Sequence, residues 1–226
     1  MLDTTALLAS LQHADSFFPA GGIAFSWGVE SLVNDGAIST SEDLRACLAG
    51  QLEQRWNNFD RVFLAAAYDA ADDLDTLATL DAEIEAMILA RESREGSRRA
   101  GTSLLLVHEK IQTPGAAAYR KLVVAGAALG HLPIVQAVVW KGVGMTREAV
   151  ESVSAYAFCI AMIGACLRLG VLGHLASQQI MTHIRQDIAR LMKLPPREVK
   201  DAHAFTPGAE IAMMRHEVQQ SRLFAN

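Results

Sequence analysis

SVSAYAFCIAMIGACL, residues 152–167, carries no charged side chain, although Glu151 and Arg168 stand at its two ends. Its 16 residues fall short of the roughly 20 that a helix needs to cross a bilayer, and serines and alanines dilute its hydrophobicity. Thr146 precedes it as a cap, Arg147 and Glu148 follow in the first turn, and Gly170 can end the helix in a left-handed conformation. The stretch therefore reads as the buried central helix of an all-α fold and not as a membrane span. Ala157, Ala161 and Ala165 recur every four residues with Gly164 adjacent, so a second helix can approach closely along that face.

The same punctuation continues outward. Alternating β-branched runs are absent, whereas Ala, Leu, Glu, Arg and Met recur at helical spacing. Ser39-Thr40-Ser41 followed by Glu42 and Asp43 supplies a cap and first-turn acids. Pro114 and Pro133 stand near first helical positions, where a missing N–H costs little. Asn34-Asp35-Gly36 and Pro195-Pro196 read as turns. The pattern predicts about nine to eleven helices in a single compact domain over residues 1–226, with no repeat or linker.

With 51% hydrophobic and 20% charged residues and a net charge of −5, the chain lacks the basic surface that binding to phosphate backbones requires, so no nucleic-acid partner is expected. Three cysteines, Cys47, Cys159 and Cys166, form no disulfide framework and point to a cytoplasmic location. Asp3 stands where an export signal carries a basic residue. The acidic segment 71–87 and the basic segment 91–99 read as a solvated face with i,i+4 pairing, ahead of a charge-steering surface.

HADSFFPAGGIAFSWGVE, residues 13–30, is the least ordinary segment, and it fails the tests for chemistry. No lysine precedes Lys110, so no phosphate loop is present, and Gly21, Gly22 and Gly28 do not form a dinucleotide fingerprint. Ser16 and Ser26 lie in no nucleophile elbow. Ser16 reads as a turn hydroxyl and Ser26 as the N-cap of WGVESLV. The seven histidines, at 13, 108, 131, 174, 183, 203 and 216, show no metal-ligand spacing. His174 and His183 are the least poor pair, and Cys159 and Cys166 read as buried structural thiols. No catalytic residue, cofactor or metal ligand is therefore expected. Gly-rich backbone followed by Glu30 suits a recognition surface better than chemistry. The tail is the second unusual segment: Pro207-Gly208 breaks the chain, and Arg222, Leu223 and Phe224 at the end either fold back or meet a partner.

These two segments carry a family resemblance. LQHADSFFPAGGIAFSWGVESLV is similar to the opening signature of the urease accessory protein UreF family, and HEVQQSRLFAN is similar to its terminal His-Glu-x-x-x-Ser-Arg-Leu-Phe. ARESREGSRRAGTSLL, GHLPIVQAVVW and LRLGVLGHLASQQIM resemble its internal blocks in the same order. The resemblance implies an all-helical homodimer without enzymatic activity. It implies a scaffold that joins UreD (also called UreH) and the GTPase UreG on apo-urease for nickel delivery.

Asp15, Ser16, Pro19, Gly21, Gly22, Ser26, Gly28 and Glu30 fall on the opening motif, as a shaped turn that displays Glu30. His216, Glu217, Ser221, Arg222, Leu223 and Phe224 fall on the tail. Leu223 and Phe224 are expected to order against the UreD-type partner, with Arg222 at the rim. Arg168 is a further partner-binding candidate, or else a cap on its helix dipole. The chain departs from the family at Phe25, His174 and Gln220, where the family carries His, Gln and Tyr. Two alternatives accompany this reading. One is a GTPase-activating protein using Arg222 or an arginine of 91–99; the other is a nickel-binding metallochaperone, against which the histidine spacing argues.

Overall fold

The computed structural model describes residues 3–15, 17–19, 26–217, 219, 223 and 224. Among these it contains eleven α-helical segments and no strand: α1 (Thr4–Ala14), α2 (Val29–Asn34), α3 (Ser41–Gln51), α4 (Arg61–Asp69), α5 (Leu74–Met87), α6 (Arg91–Lys110), α7 (Ala116–Val124), α8 (Leu132–Gly142), α9 (Arg147–Arg168), α10 (His174–Met192) and α11 (Pro207–His216). The all-α expectation holds, and so do several of its local signals. Thr40 and Asp43 form a reciprocal capping box at α3, Thr146 Oγ1 accepts from the amide of Ala149 at 3.3 Å, and Gly170 ends α9 at φ 73°. Ser26 departs from its expected role. The N-cap of α2 is Gly28 at φ 81°, and the Ser26 hydroxyl instead accepts from the amide of Glu30 at 3.4 Å.

α3 and α4 form one rod, because the π-helix Leu52–Asp60 joins them without a break. Its wide turns present backbone carbonyls sideways, and those of Asn58 and Gln54 accept from the amides of His203 and Phe205 at 3.0 and 3.2 Å. The chain beyond α10 is thereby laid along the rod.

α9 packs Val150, Val153, Cys159, Met162, Ile163 and Cys166 inward. By length and composition it could cross a membrane, yet 56% of its most apolar window is buried within the protein. All three cysteines are free, and burial pushes the Cys159 and Cys166 thiols up to about 12. One apolar cluster surrounds Phe59, Phe63, Leu104, Tyr119 and Val135. The other gathers Val29, Leu44, Trp56, Met162, Ile184 and Phe224.

Buried charges tie these clusters together. Arg61, 2% exposed, donates to Glu151 at 2.8 Å and to the carbonyls of Leu191 and Leu194 at 2.9 Å each, so a cation holds the C-terminal end of α10. Asp81, fully buried, accepts from the Tyr119 hydroxyl and from the amides of Leu129, Gly130 and His131. It thus fixes the chain leading into α8. The Tyr119 phenol is pushed upward by burial and by that neighbouring carboxylate. The expected i,i+4 pairing forms between Arg99 and Glu95 at 2.8 Å, and beyond it Arg94 and Arg98 reach across to Glu85 of α5 at 3.4 and 3.7 Å.

α6 and the loop before α8 approach so closely that a Cβ built at Gly101 would collide with the carbonyl oxygen of Gly130. Gly101→Ala is therefore expected to cost about 1–3 kcal/mol through overpacking. An unchanged thermal melt of the variant would refute this close approach.

Candidate functional site

Glu30 lies in the first turn of α2, and it is not displayed. It is 4% exposed, which corrects the expectation of an outward-facing carboxylate. Gly28 makes the burial possible. Its left-handed backbone lets α2 lie against α11, where a Cβ would meet the Ala209 carbonyl oxygen at 3.0 Å and Met213 Cγ at 3.1 Å. The Glu30 carboxylate then accepts from the amides of Leu223 and Phe224 at 2.7 and 3.1 Å, and it meets His216 Nε2 at 3.0 Å.

His216, fully buried at the end of α11, has Glu92 Oε2 2.8 Å from its other nitrogen. A carboxylate can only accept, so the ring satisfies both neighbours when both nitrogens carry protons. Glu30, Glu92 and His216 come from α2, α6 and α11, and together they form a buried polar clamp at the base of the tail. Three contacts surround it: Arg91 to Glu217 at 3.1 Å, Arg215 to Asp35 at 3.2 Å, and Gln219 Nε2 to Ser31 Oγ at 3.0 Å.

Beyond the clamp the two tail residues diverge. Phe224 is 8% exposed and joins the second apolar cluster, with the Arg168 guanidinium 4.4 Å from its ring centroid. Leu223 is 62% exposed. The tail thus docks on its own chain through Phe224 and faces outward through Leu223. Arg168 sits in the last turn of α9, where it serves the helix dipole and the tail ring together; its partial desolvation lowers its pKa. Arg222, Ser221, Ser16, Gly21 and Gly22 lie outside the described residues.

The opening segment contributes a second buried cluster. Asp15 accepts from the amide of Phe17 at 2.9 Å, turning the chain after α1 towards Pro19. One turn earlier, His13 Nδ1 lies 2.7 Å from the carbonyl of Ala9, and its Nε2 lies 3.2 Å from Nε2 of His108. His108 Nδ1 is in turn 2.8 Å from Thr113 Oγ1. Phe18 and Trp140 pack around the pair. Burial lowers the pKa of both rings, to about 4 for His108. The cluster borders a cavity of about 100 Å³ walled by Trp27, Trp56, Trp140, Phe158 and Asp60. Burial raises the Asp60 carboxyl, against the pull of Arg55, whose Nε is 3.2 Å away.

Sequence reasoning missed Glu92, His13 and His108 as partners. Glu92 lies in the basic segment, read as a solvated face, and the two histidines are 95 positions apart. Only the coincidence of Glu30 and His216, one in each unusual segment, hinted at a long-range pair. Among the described residues, no three His, Cys, Asp or Glu side chains gather at metal-ligand spacing. His174 and His183 belong to no such group.

Two outcomes follow from these clusters. Glu30→Ala leaves the buried amide of Phe224 and the part-buried amide of Leu223 without their acceptor, and His216 with one carboxylate, so it is expected to cost about 3–5 kcal/mol. A guanidinium melt coincident with that of the wild type would overturn the clamp. In metal-free buffer, the unfolded chain binds histidine protons near the ordinary value of about 6.5, whereas folded His108 refuses its proton down to about 4. Stability is therefore fully present above pH 6.5 and lost as pH falls through that window. Denaturation midpoints between pH 7.5 and 5 should fall less steeply for His108→Leu than for the wild type.

The chain has relatives among known proteins. The UreF family model matches residues 38–185. Urease accessory protein UreF of Arthrobacter sp. (strain FB24) is 33% identical over 224 residues, covering 96% of each chain. The UreF proteins of Paenarthrobacter aurescens (strain TC1), 31% identical over 99% of each chain, and of Haemophilus influenzae (strain PittGG), 30% identical over 97% of this chain and 95% of its own, are similar along the same length. The family model spans more than half of the chain and these relatives match it over nearly its full length, and the chain belongs to the UreF family of urease accessory proteins.

Proposed function

We propose that this chain is a non-enzymatic scaffold of urease maturation. In this reading it couples a UreD/UreH-type partner and the GTPase UreG to apo-urease, and nickel is the cargo of the assembly. The whole chain acts as one unit, with 206–226 as the docking tail. The observation that carries the reading is the docked tail. A chain end held by a buried carboxylate while presenting Leu223 outward is a preorganised binding edge, which saves ordering entropy when a partner arrives. Glu30 and His216 then act as positioning residues beneath the contact, and Arg168 and Phe224 as its flank. Three free cysteines, two of them buried, suit a cytoplasmic setting.

A groove of about 830 Å³ between α1, α9 and α10 supports the homodimer. Its floor includes Tyr156 and Ile160 of the charge-free helix, and Leu11 on its wall is 59% exposed. A two-fold axis through such a patch would cover its exposed apolar side chains with those of a second copy.

The test is co-expression with UreD- and UreG-type partners, followed by affinity capture and light scattering. Capture of both partners with two copies of this chain is expected. Leu223→Asp should abolish capture of the UreD-type partner without changing the melt of the free protein. Truncation should be made after Glu217, because removing His216 leaves Glu30 and Glu92 buried as like charges. Undiminished capture by Leu223→Asp would remove the tail from the interface.

A further inference from the structure

We infer that the cavity beside His13 is a binding site for a small planar amide, an uncharged molecule with a carbonyl oxygen at one end and an N–H₂ group at the other. The site belongs to the isolated chain, is separate from the tail clamp and does not rest on the maturation reading.

The small-residue face of α9 borders this cavity. Ala157 and Ala161 both line it and are half-buried. Among the described residues, nothing lies within 4 Å of a Cβ built at Gly164, about one turn further on. Side chains of Trp27, Trp56, Trp140 and Phe158 wall the remaining space. Aromatic walls with a few polar groups are the usual lining of a small-molecule site.

The polar groups are specific. Trp56 Nε1 can only donate, and it gives its proton to Ser154 Oγ at 3.1 Å. Ser154 donates onward to Gln136 Oε1 at 3.0 Å, which fixes the orientation of that carboxamide. The Gln136 N–H₂ is left without an acceptor among the described residues, although the side chain is buried. Trp140, 2% exposed, has a buried indole N–H that also lacks a partner. Gln136 and Trp140 stand four residues apart on α8, so both donors belong to one face of that helix, and both residues line the cavity. A carbonyl oxygen placed there recovers the free energy that unmet buried donors cost.

Asp60, on the same lining, supplies the complementary group. Its two oxygens accept from Arg55 at 3.2 and 3.3 Å, and each keeps a lone pair for a further donor. Arg55 already balances the carboxylate, so a ligand that answers the α8 donors and Asp60 together is neutral, with its carbonyl on the former and its N–H₂ on the latter. Size narrows the class further. A cavity of about 150 Å³ accepts benzene, and in proportion one of about 100 Å³ admits about four heavy atoms. Acetamide is of that size. Water meets the same polar groups but gains nothing from the aromatic walls.

The test titrates acetamide into the full-length ¹⁵N-labelled protein and follows the tryptophan indole N–H resonances, that of Trp140 being assigned by its loss in Trp140→Phe. Acetone and sodium acetate are the matched probes. Acetamide is expected to shift the Trp140 resonance saturably, with a Kd of about 0.1–10 mM, the range open to so small a ligand. Acetone has the carbonyl without the N–H₂, and it is expected to bind about tenfold more weakly or worse. Acetate, repelled by Asp60, should leave the resonance unmoved. Ala161→Leu fills the cavity, and it is expected to weaken acetamide by about tenfold or more. An unmoved Trp140 resonance at saturating acetamide, the behaviour of a cavity that holds only water, overturns the inference. So does an equal shift with all three probes, or undiminished acetamide binding by an Ala161→Leu protein whose thermal melt shows it folded. The wild-type titrations decide the matter even where a variant fails to fold.

Discussion

A charge removed from water must find its full set of partners inside the protein, and this chain answers that requirement at three places with one device. Arg61 is closed by Glu151 and by carbonyls at the end of α10. Asp81 is closed by three amides and a phenol, and Glu30 by two amides and His216. Each buried group therefore dictates where a distant stretch of backbone lies, because any other placement leaves it unpaired at a cost of several kcal/mol. In an all-helical protein, where helices could slide along apolar faces with little penalty, these polar fixtures set the register that packing alone leaves loose.

The Glu30 fixture is the one on which the proposed function rests. A chain terminus normally frays, yet here two amides of the tail are spoken for by a carboxylate that sits close to the other end of the sequence. The same contact that buries Phe224 against Arg168 turns Leu223 outward. In the proposed scaffold reading, stability and recognition are thus coupled at one point, and a partner that uses this edge would meet it already formed. The His13–His108 pair works on a different principle. It is shielded from water, and its two rings share one hydrogen bond while the Ala9 carbonyl and the Thr113 hydroxyl hold their outer nitrogens.

Much of the fold was legible because its signals are local. The cap at Thr40, the cap at Thr146, the left-handed stop at Gly170 and the charge-free run of α9 each act within a few residues, so sequence order and spatial order coincide. Ser26 shows the limit. Its hydroxyl was expected to cap α2 directly, but Gly28 occupies that position because α11 comes too close for a side chain. The π-helix at 52–60 was equally invisible, since its carbonyls are rewarded by amides from residues 203 and 205.

By itself, then, the sequence determined the helical class, the starts of α3, α8 and α9, the end and inward role of α9 and, through its terminal motifs, the family. These depend on hydrophobic period and on hydrogen bonds between near neighbours. The tertiary structure alone decided that Glu30 faces inward, that Glu92 leaves a basic segment to meet His216, and that His13 meets His108. Such pairings join residues far apart in the chain, and they are chosen by which buried groups can satisfy one another once the helices have packed.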